Sequence, residues 1–331
     1  MRESPVAIVT GGAGFIGSHL VDLLLERGFF VRVIDDFTGG HRRNLDHVTA
    51  SDRLEIHERD IRELQPGGRE FADAKLVFHL AGIGDIVPSI ERPSDYMSVN
   101  VQGTVKVLEC ARHSKVEKFL YAASSSCYGL AETPTDESHP ITPLYPYALS
   151  KYLGEEVCLH WFSVYGLPVN VIRIFNAYGP RVRTTGAYGA VFGVFLRQKL
   201  AGQPFTVVGD GSQARDFVYV TDVARAFLAA AESSKIGRTY NLGANNPQSI
   251  NRLVSLLGGE VVYIPDRPGE PKQTWADTTR IQEELGWAPK VGFEEGVSHM
   301  LDKIEDWRDA PLWEPKSIEA ATKTWFDFMS E

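Results

Sequence analysis

Between residues 6 and 28 the chain passes from a short apolar run through three evenly spaced glycines into a helical pattern. No other stretch restricts the fold so strongly. Val6, Ala7, Ile8 and Val9 read as a buried strand. Gly11, Gly14 and Gly17 follow, and each serves a distinct physical need. The first allows a sharp turn, the second a close approach of backbone to a diphosphate, and the third tight packing of helix on strand. Phe15 and Ile16 open the helix, and Leu20, Leu23, Leu24 and Leu25 continue its apolar pattern to a C-capping Gly28. A diphosphate placed there meets free N–H groups at the positive end of the helix dipole. A second strand, residues 30–34, ends in Asp35 and Asp36. Asp35 lies 24 residues after Gly11, where an acid takes the adenosine ribose diol. A glycine triplet alone also describes a turn without a ligand. The strand, helix, second strand and acid around it point instead to a dinucleotide site.

Arg42 and Arg43 hint at a 2′-phosphate and NADP, whereas the Asp35 carboxylate repels that phosphate and suits the bare diol. NAD is therefore the expected cofactor. Residues 54–56 form a third strand, followed by Asp60 and Ile61, where an acid reaches the adenine amine. Residues 76–80 form a fourth strand, ending at Leu80 and Ala81 with small residues that leave room for a cofactor. Residues 93–113 read as one long amphipathic helix, 119–122 as a fifth strand and 167–174 as a sixth. Strands alternating with helices predict an α/β fold of Rossmann type, a doubly wound parallel sheet. Further helices are expected at 187–201, 222–231, 253–257, 278–285, 296–307 and 315–329, and further strands at 205–208 and 240–243. The last helix reads as packing surface without chemistry of its own.

The composition is that of an ordinary globular chain, 43% hydrophobic and 23% charged. A net charge of −9 argues against nucleic acid or an anionic membrane as main partner. No run of about 18 apolar residues occurs and no leader pattern precedes the first strand, so a cytoplasmic protein is expected. Cys110, Cys127 and Cys158 are widely spaced and suit reduced, packed thiols rather than a disulfide or metal site.

Tyr147 and Lys151 are four apart and share a helical face. A phenol is a poor base at its ordinary pKa near 10. A neighbouring ammonium and a nicotinamide cation would lower it, and Ser124 would complete a proton relay to a substrate hydroxyl. Such a Tyr–Lys pair often arises by chance, and its weight comes from its company with the serine run and the glycines.

Together these motifs resemble the extended short-chain dehydrogenases/reductases, within them the NAD-dependent sugar-nucleotide epimerase/dehydratase family. The matching features are residues 10–17, Asp35, Asp60, 79–82, 100–104, 124–129, Tyr147 with Lys151, 175–180, 215–222 and 267–270, nearly the whole chain. The resemblance implies Ser124, Tyr147 and Lys151 as catalytic residues. It implies cofactor contacts at Gly11, Gly14, Phe15, Ile16, Gly17, Asp35, Asp36, Asp60, Ile61, Leu80, Ala81, Asn100, Tyr147 and Lys151. Substrate contacts are implied at Asp85, Ser125, Ser126, Asn176, Val191, Thr206, Arg215, Arg267 and Thr274. Arg215 and Arg267 would clamp a diphosphate with charge-assisted bonds, although either taken alone reads sooner as a surface ion-pair residue than as a binding one. The implied domains are 1–175 with about 218–243 for NAD, and 176–217 with 244–331, smaller and mixed α/β, for a sugar nucleotide.

Dehydratases of the family carry Asp-Glu where this chain has Ser125 and Ser126, and decarboxylases commonly carry Glu at Ser126. The resemblance therefore implies 4-epimerisation of a UDP-hexose or UDP-N-acetylhexosamine, because hydride return needs no extra acid or base. Thr274, small where some 4-epimerases carry Tyr, implies room for an N-acetylated sugar, or else merely fits its packing. Asp85 would repel a uronate or supply an acid or base for a dehydratase or C5-type epimerase; it would equally cap a helix. A decarboxylase and a non-catalytic NAD-binding sensor are the remaining readings. Cys127 is expected to be packed. A homodimer is implied, through a four-helix bundle of the helices beginning near Ser94 and Tyr147, with Val105, Leu108, Leu153 and Val157 available to it.

Overall fold

The structure, a computed structural model, describes residues 4–184 and 191–329. In chain order the strands and helices are β1 (Val6–Thr10), α1 (Phe15–Glu26), β2 (Phe30–Asp35), β3 (Leu54–Glu58), β4 (Ala74–His79), α2 (Ile86–Glu91), α3 (Pro93–Met97), α4 (Thr104–His113), β5 (Lys118–Ser124), α5 (Pro146–Tyr165), β6 (Val169–Ile174) and β7 (Asn176–Tyr178). They continue with α6 (Val191–Leu200), β8 (Phe205–Val208), β9 (Ala214–Arg215), β10 (Phe217–Tyr219), α7 (Val220–Glu232), β11 (Arg238–Leu242), β12 (Gln248–Ser249), α8 (Ile250–Leu257), β13 (Val261–Ile264), α9 (Thr279–Leu285), α10 (Phe293–Asp302) and α11 (Pro315–Met329).

Seven strands form one parallel sheet in the order β11-β6-β5-β4-β1-β2-β3. Every residue of β1 is buried, as a central strand covered on both faces requires. The pleat divides its side chains. Ala7 and Val9 pack with Leu20 and Leu24 of α1 and Phe227 of α7. Val6 and Ile8 pack on the other face with Val107 and Leu108 of α4 and Cys158 of α5. The strand order reverses at β1, so the crevice beyond its C-terminal end is the ligand side of such a sheet.

A smaller aromatic core lies beyond β6. Tyr178 stacks on Phe192 at 4.7 Å, and Phe217 stacks on Phe293 at 5.3 Å. Around it β7 pairs with β10 and β8 with β13 in parallel, and β9 pairs with β12 antiparallel, a mixed arrangement. The acids of the 215–222 motif are structural. Buried Asp216 accepts backbone N–H bonds from Ala244, Asn245, Asn246 and Ala276. Asp222 accepts from Lys290 and Val291.

Three expectations about helices are corrected or limited. Residues 93–113 are not one α-helix: a π-helical turn, Ser98–Gly103, separates α3 from α4. Gly103 there abuts the Ile61 side chain, and the wide turn carries Asn100 toward the cofactor side. Residues 296–307 divide into α10 and a 3-10 turn, Ile304–Trp307, because the chain breaks at Lys303 to bury Trp307 in the smaller core. Of the helix expected at 187–201, residues 187–190 lie outside the described residues. Among the described residues no helix is long and apolar enough to cross a membrane, and no His, Cys, Asp and Glu cluster suits a metal ion.

Candidate active site

The turn after β1 meets the steric demands of a dinucleotide cradle. Gly11 has φ +69°, and a Cβ on it would lie 2.7 Å from the Ala81 nitrogen. A Cβ on Gly17 would press into the Gly11 carbonyl oxygen. Gly14 is the N-cap of α1, without a capping side-chain bond and with no acid in the first turn of Phe15 and Ile16, which leaves the positive helix end for a diphosphate. Asp35 closes the cradle at the end of β2, accepting the Ala13 N–H at 2.9 Å and the Phe37 N–H at 2.9 Å. Burial raises its pKa, and these two bonds oppose the rise. Asp36 is exposed and bonds Thr38. Arg42 pairs with Glu58 and lies 4.0 Å over the Phe37 ring, so its charge is already matched. Asp60 accepts from the Arg62 backbone and guanidinium, and Ile61 beside it is buried. Leu80 and Ala81 follow β4, tied to Thr10 through bonds to its carbonyl and hydroxyl. The Asn100 amide holds both the N–H and the carbonyl of Ile83 and reaches Ser150 at 2.9 Å. It fixes the loop that lines this groove. The donor set, the open helix end and the acid fit NAD.

Ser124 ends β5, and α5 begins at Pro146 with Tyr147 and Lys151 one turn apart. The Ser124 hydroxyl accepts the Ser126 N–H at 3.2 Å and acts on the Tyr147 phenol to favour its ionised form. Lys151 is buried, its ammonium 4.6 Å from the centre of the Tyr121 ring. Burial pushes its pKa down to about 8. For Tyr147 the chain's own groups, on balance, act against the expected lowering. Burial of the phenol raises its pKa, the Ser124 bond opposes that, and the Asp85 charge adds to it. Cys127 is buried in a packed cluster with Phe175 and Ala276, and its pKa is pushed up to about 12.

A cavity of about 400 Å³ is lined not by the trio itself but by its neighbours, Ser125 and Ser126 after Ser124 and Tyr145 against the Tyr147 ring. Its walls bring together Asp85, Ser125, Ser126, Asn176, Val191, Thr206, Arg215, Arg267 and Thr274, from well-separated stretches of chain. Asp85 stands at the N-cap of α2 with φ 74° but makes no side-chain capping bond. The cleft around it raises its pKa, and Arg183 opposes the rise. Thr206 is held by Gln198, which accepts its N–H and donates to its hydroxyl. Thr274 donates to Asn176 Oδ1 at 2.7 Å and accepts the Asp216 N–H at 3.3 Å. Its hydroxyl therefore serves packing as well as leaving space.

Four contributors are not evident from sequence patterns. Glu270 stands between the two arginines, 2.8 Å from Arg215 and 3.6 Å from Arg267. Its place as the last residue of the 267–270 motif is the signal that could have pointed to it. Tyr145 lines the cavity with its ring stacked on Tyr147, 6.5 Å between centres. Thr322 and Trp325 of α11 also line it.

The model of the NAD dependent epimerase/dehydratase family matches residues 7–243. UDP-glucose 4-epimerase of Mycolicibacterium smegmatis is 36% identical over 305 residues, covering 89% of this chain and 97% of that one. The structure of UDP-N-acetylglucosamine 4-epimerase from Methanobrevibacter ruminantium with UDP-N-acetylmuramic acid superposes with TM-score 0.85 at 30% identity, over 92% of this chain and 100% of that one. UDP-glucuronic acid 4-epimerase from Bacillus cereus, with UDP-glucuronic acid and NAD, gives 0.83 at 32%, over 91% and 99%.

Proposed function

The chain belongs to the NAD-dependent epimerase/dehydratase family, and from that premise we propose that it interconverts UDP-hexoses or UDP-N-acetylhexosamines at C4. The observation that supports this reading is a cavity lined by Ser125 and Ser126, the direct chain neighbours of Ser124, with no carboxylic acid in those two positions. NAD, when bound, supplies the acceptance of hydride at C4 and its return to the opposite face.

Tyr147 takes the proton of the C4 hydroxyl, with Ser124 holding that hydroxyl in line. Lys151, charged below its pKa of about 8, steadies the phenolate. Arg215 and Arg267 hold the diphosphate, and Glu270, paired with both, offsets the repulsion between the two guanidinium groups. Hydroxyls at positions 125 and 126 orient the sugar without donating a proton strongly enough to expel water. The cofactor belongs to the seven-stranded unit, and the base and diphosphate to the smaller unit, as the division 1–175 with 218–243 against 176–217 with 244–331 implies. UDP-N-acetylhexosamine is favoured over UDP-glucose by the small Thr274 in the cavity wall.

Purified protein incubated with UDP-glucose, UDP-N-acetylglucosamine and UDP-glucuronate, followed by mass spectrometry and proton NMR, tests the reading. Unchanged mass with a new C4 proton coupling is expected. Loss of water would favour the second reading, a dehydratase, in which Asp85 at the cavity edge supplies the acid or base. Loss of carbon dioxide would exclude both.

A further inference from the structure

We propose that the C-terminal helix α11 is a wall of the sugar end of the cavity and that Trp325 sets how large a sugar substituent the enzyme accepts. This rests on the UDP-sugar reading above. Ile318, Thr322 and Trp325 recur at helical spacing and are 3%, 3% and 7% exposed, so one face of α11 is turned inward. Its last two members reach the cavity itself.

Contacts on both sides hold the helix in place. The Trp325 indole donates to the Pro268 carbonyl at 2.8 Å, joining α11 to the loop that carries Arg267 and Glu270. On the other side Thr324 donates to Glu91 at the end of α2. The Trp325 ring lies 6.1 Å from Tyr145, and Tyr145 is stacked on Tyr147. Three rings thus run from the tail to the proposed base, so Trp325 borders the part of the cavity next to Tyr145, where the proposed function puts the reacting sugar. The wall is neutral. The Thr322 hydroxyl is spent on the Ile318 carbonyl at 2.8 Å, and the indole N–H is spent on Pro268. Such a surface discriminates by size, and a change of one or two carbon groups in an apolar pocket is worth about 10- to 200-fold.

The test is calorimetric binding of UDP, UDP-glucose and UDP-N-acetylglucosamine to the NAD-loaded protein, so that it does not depend on turnover. Trp325→Ala widens the wall, and the ratio of affinities is expected to move about tenfold toward the N-acetyl sugar. UDP affinity is expected to change less than about threefold, on the same selectivity scale. Thr322→Leu narrows the wall and is expected to move the ratio the other way; it also serves if the tryptophan variant fails to fold. Unchanged ratios in both variants, or equal loss of all three ligands, would overturn the role of α11 alone. A parent protein that binds neither UDP-sugar would overturn the functional reading instead.

Discussion

At the scale of single residues, the proposed base shows how burial and chemistry compete. The Tyr147 phenol is held above its ordinary pKa by its surroundings, and only Ser124 acts in the other direction. In the proposed reaction it is this phenol that takes the sugar proton. Tyr147→Phe is expected to lower kcat by about 10²- to 10⁴-fold, the usual worth of a positioned acid–base group, as measured in a 4-epimerisation assay. Full activity in that variant would remove the catalytic assignment. Two buried histidines predict a pH effect on stability. His79 bonds Thr10 and Thr104 through its two ring nitrogens, and burial drives its pKa to about 3. Burial, with Arg181 assisting, drives His19 to about 4. Unfolded histidine titrates near 6.5, so between these values the unfolded chain binds more protons and stability falls as pH falls. The slope is up to about 1.4 kcal/mol per pH unit for each residue. Denaturant midpoints between pH 7 and 5 measure it, and His79→Gln should flatten the curve relative to the parent.

At the scale of elements, α1 and the strand–helix layer carry the sharpest tests. Gly17→Ala forces a methyl group against the Gly11 carbonyl, where neither backbone can yield. Overpacking of this kind costs about 1–3 kcal/mol. Thermal unfolding should register the loss, and less NAD should copurify. Between α5 and β6, Arg173 makes two bonds to Glu155, at 2.6 and 3.0 Å, and a third to the Tyr128 hydroxyl, which donates in turn to Asn241. All four residues are buried. Arg173→Leu leaves the Glu155 charge without its partner and is expected to cost about 3–5 kcal/mol, read from urea unfolding. The π-turn before α4 is an element-scale feature that periodicity did not show. Its apolar residues fit an α pattern, and only the need to bring Asn100 onto Ile83 reveals the extra residue in the turn.

At the scale of the whole molecule, the proposed homodimer finds a handle in α5. Leu149 is 39% exposed on α5, whereas Leu108 on α4 is wholly buried in its own sheet layer and has no surface to offer a partner. Light scattering is expected to give twice the 36.7 kDa chain mass, and Leu149→Glu to return it to one chain. A parent that scatters as a single chain would discard the bundle.

Local chemistry made much of this protein legible before folding was considered. The glycine turn and its acid occupy a short stretch where residue type and spacing create the constraint, the Tyr147–Lys151 pair draws its weight only from their company, and β1 through β6 emerge within a few residues of their patterned runs. Tertiary structure decided the rest. Glu270 counts as a partner of Arg215 only because a loop and a strand 55 residues apart meet, and Thr274 bonds Asn176 across a larger gap still. Trp325 is an ordinary member of an amphipathic face until the chain returns α11 to Tyr145 and Pro268. An apolar stripe encodes that a helix will be covered but not what it will cover, because the hydrophobic effect has no direction and the partner is chosen by packing of the whole chain.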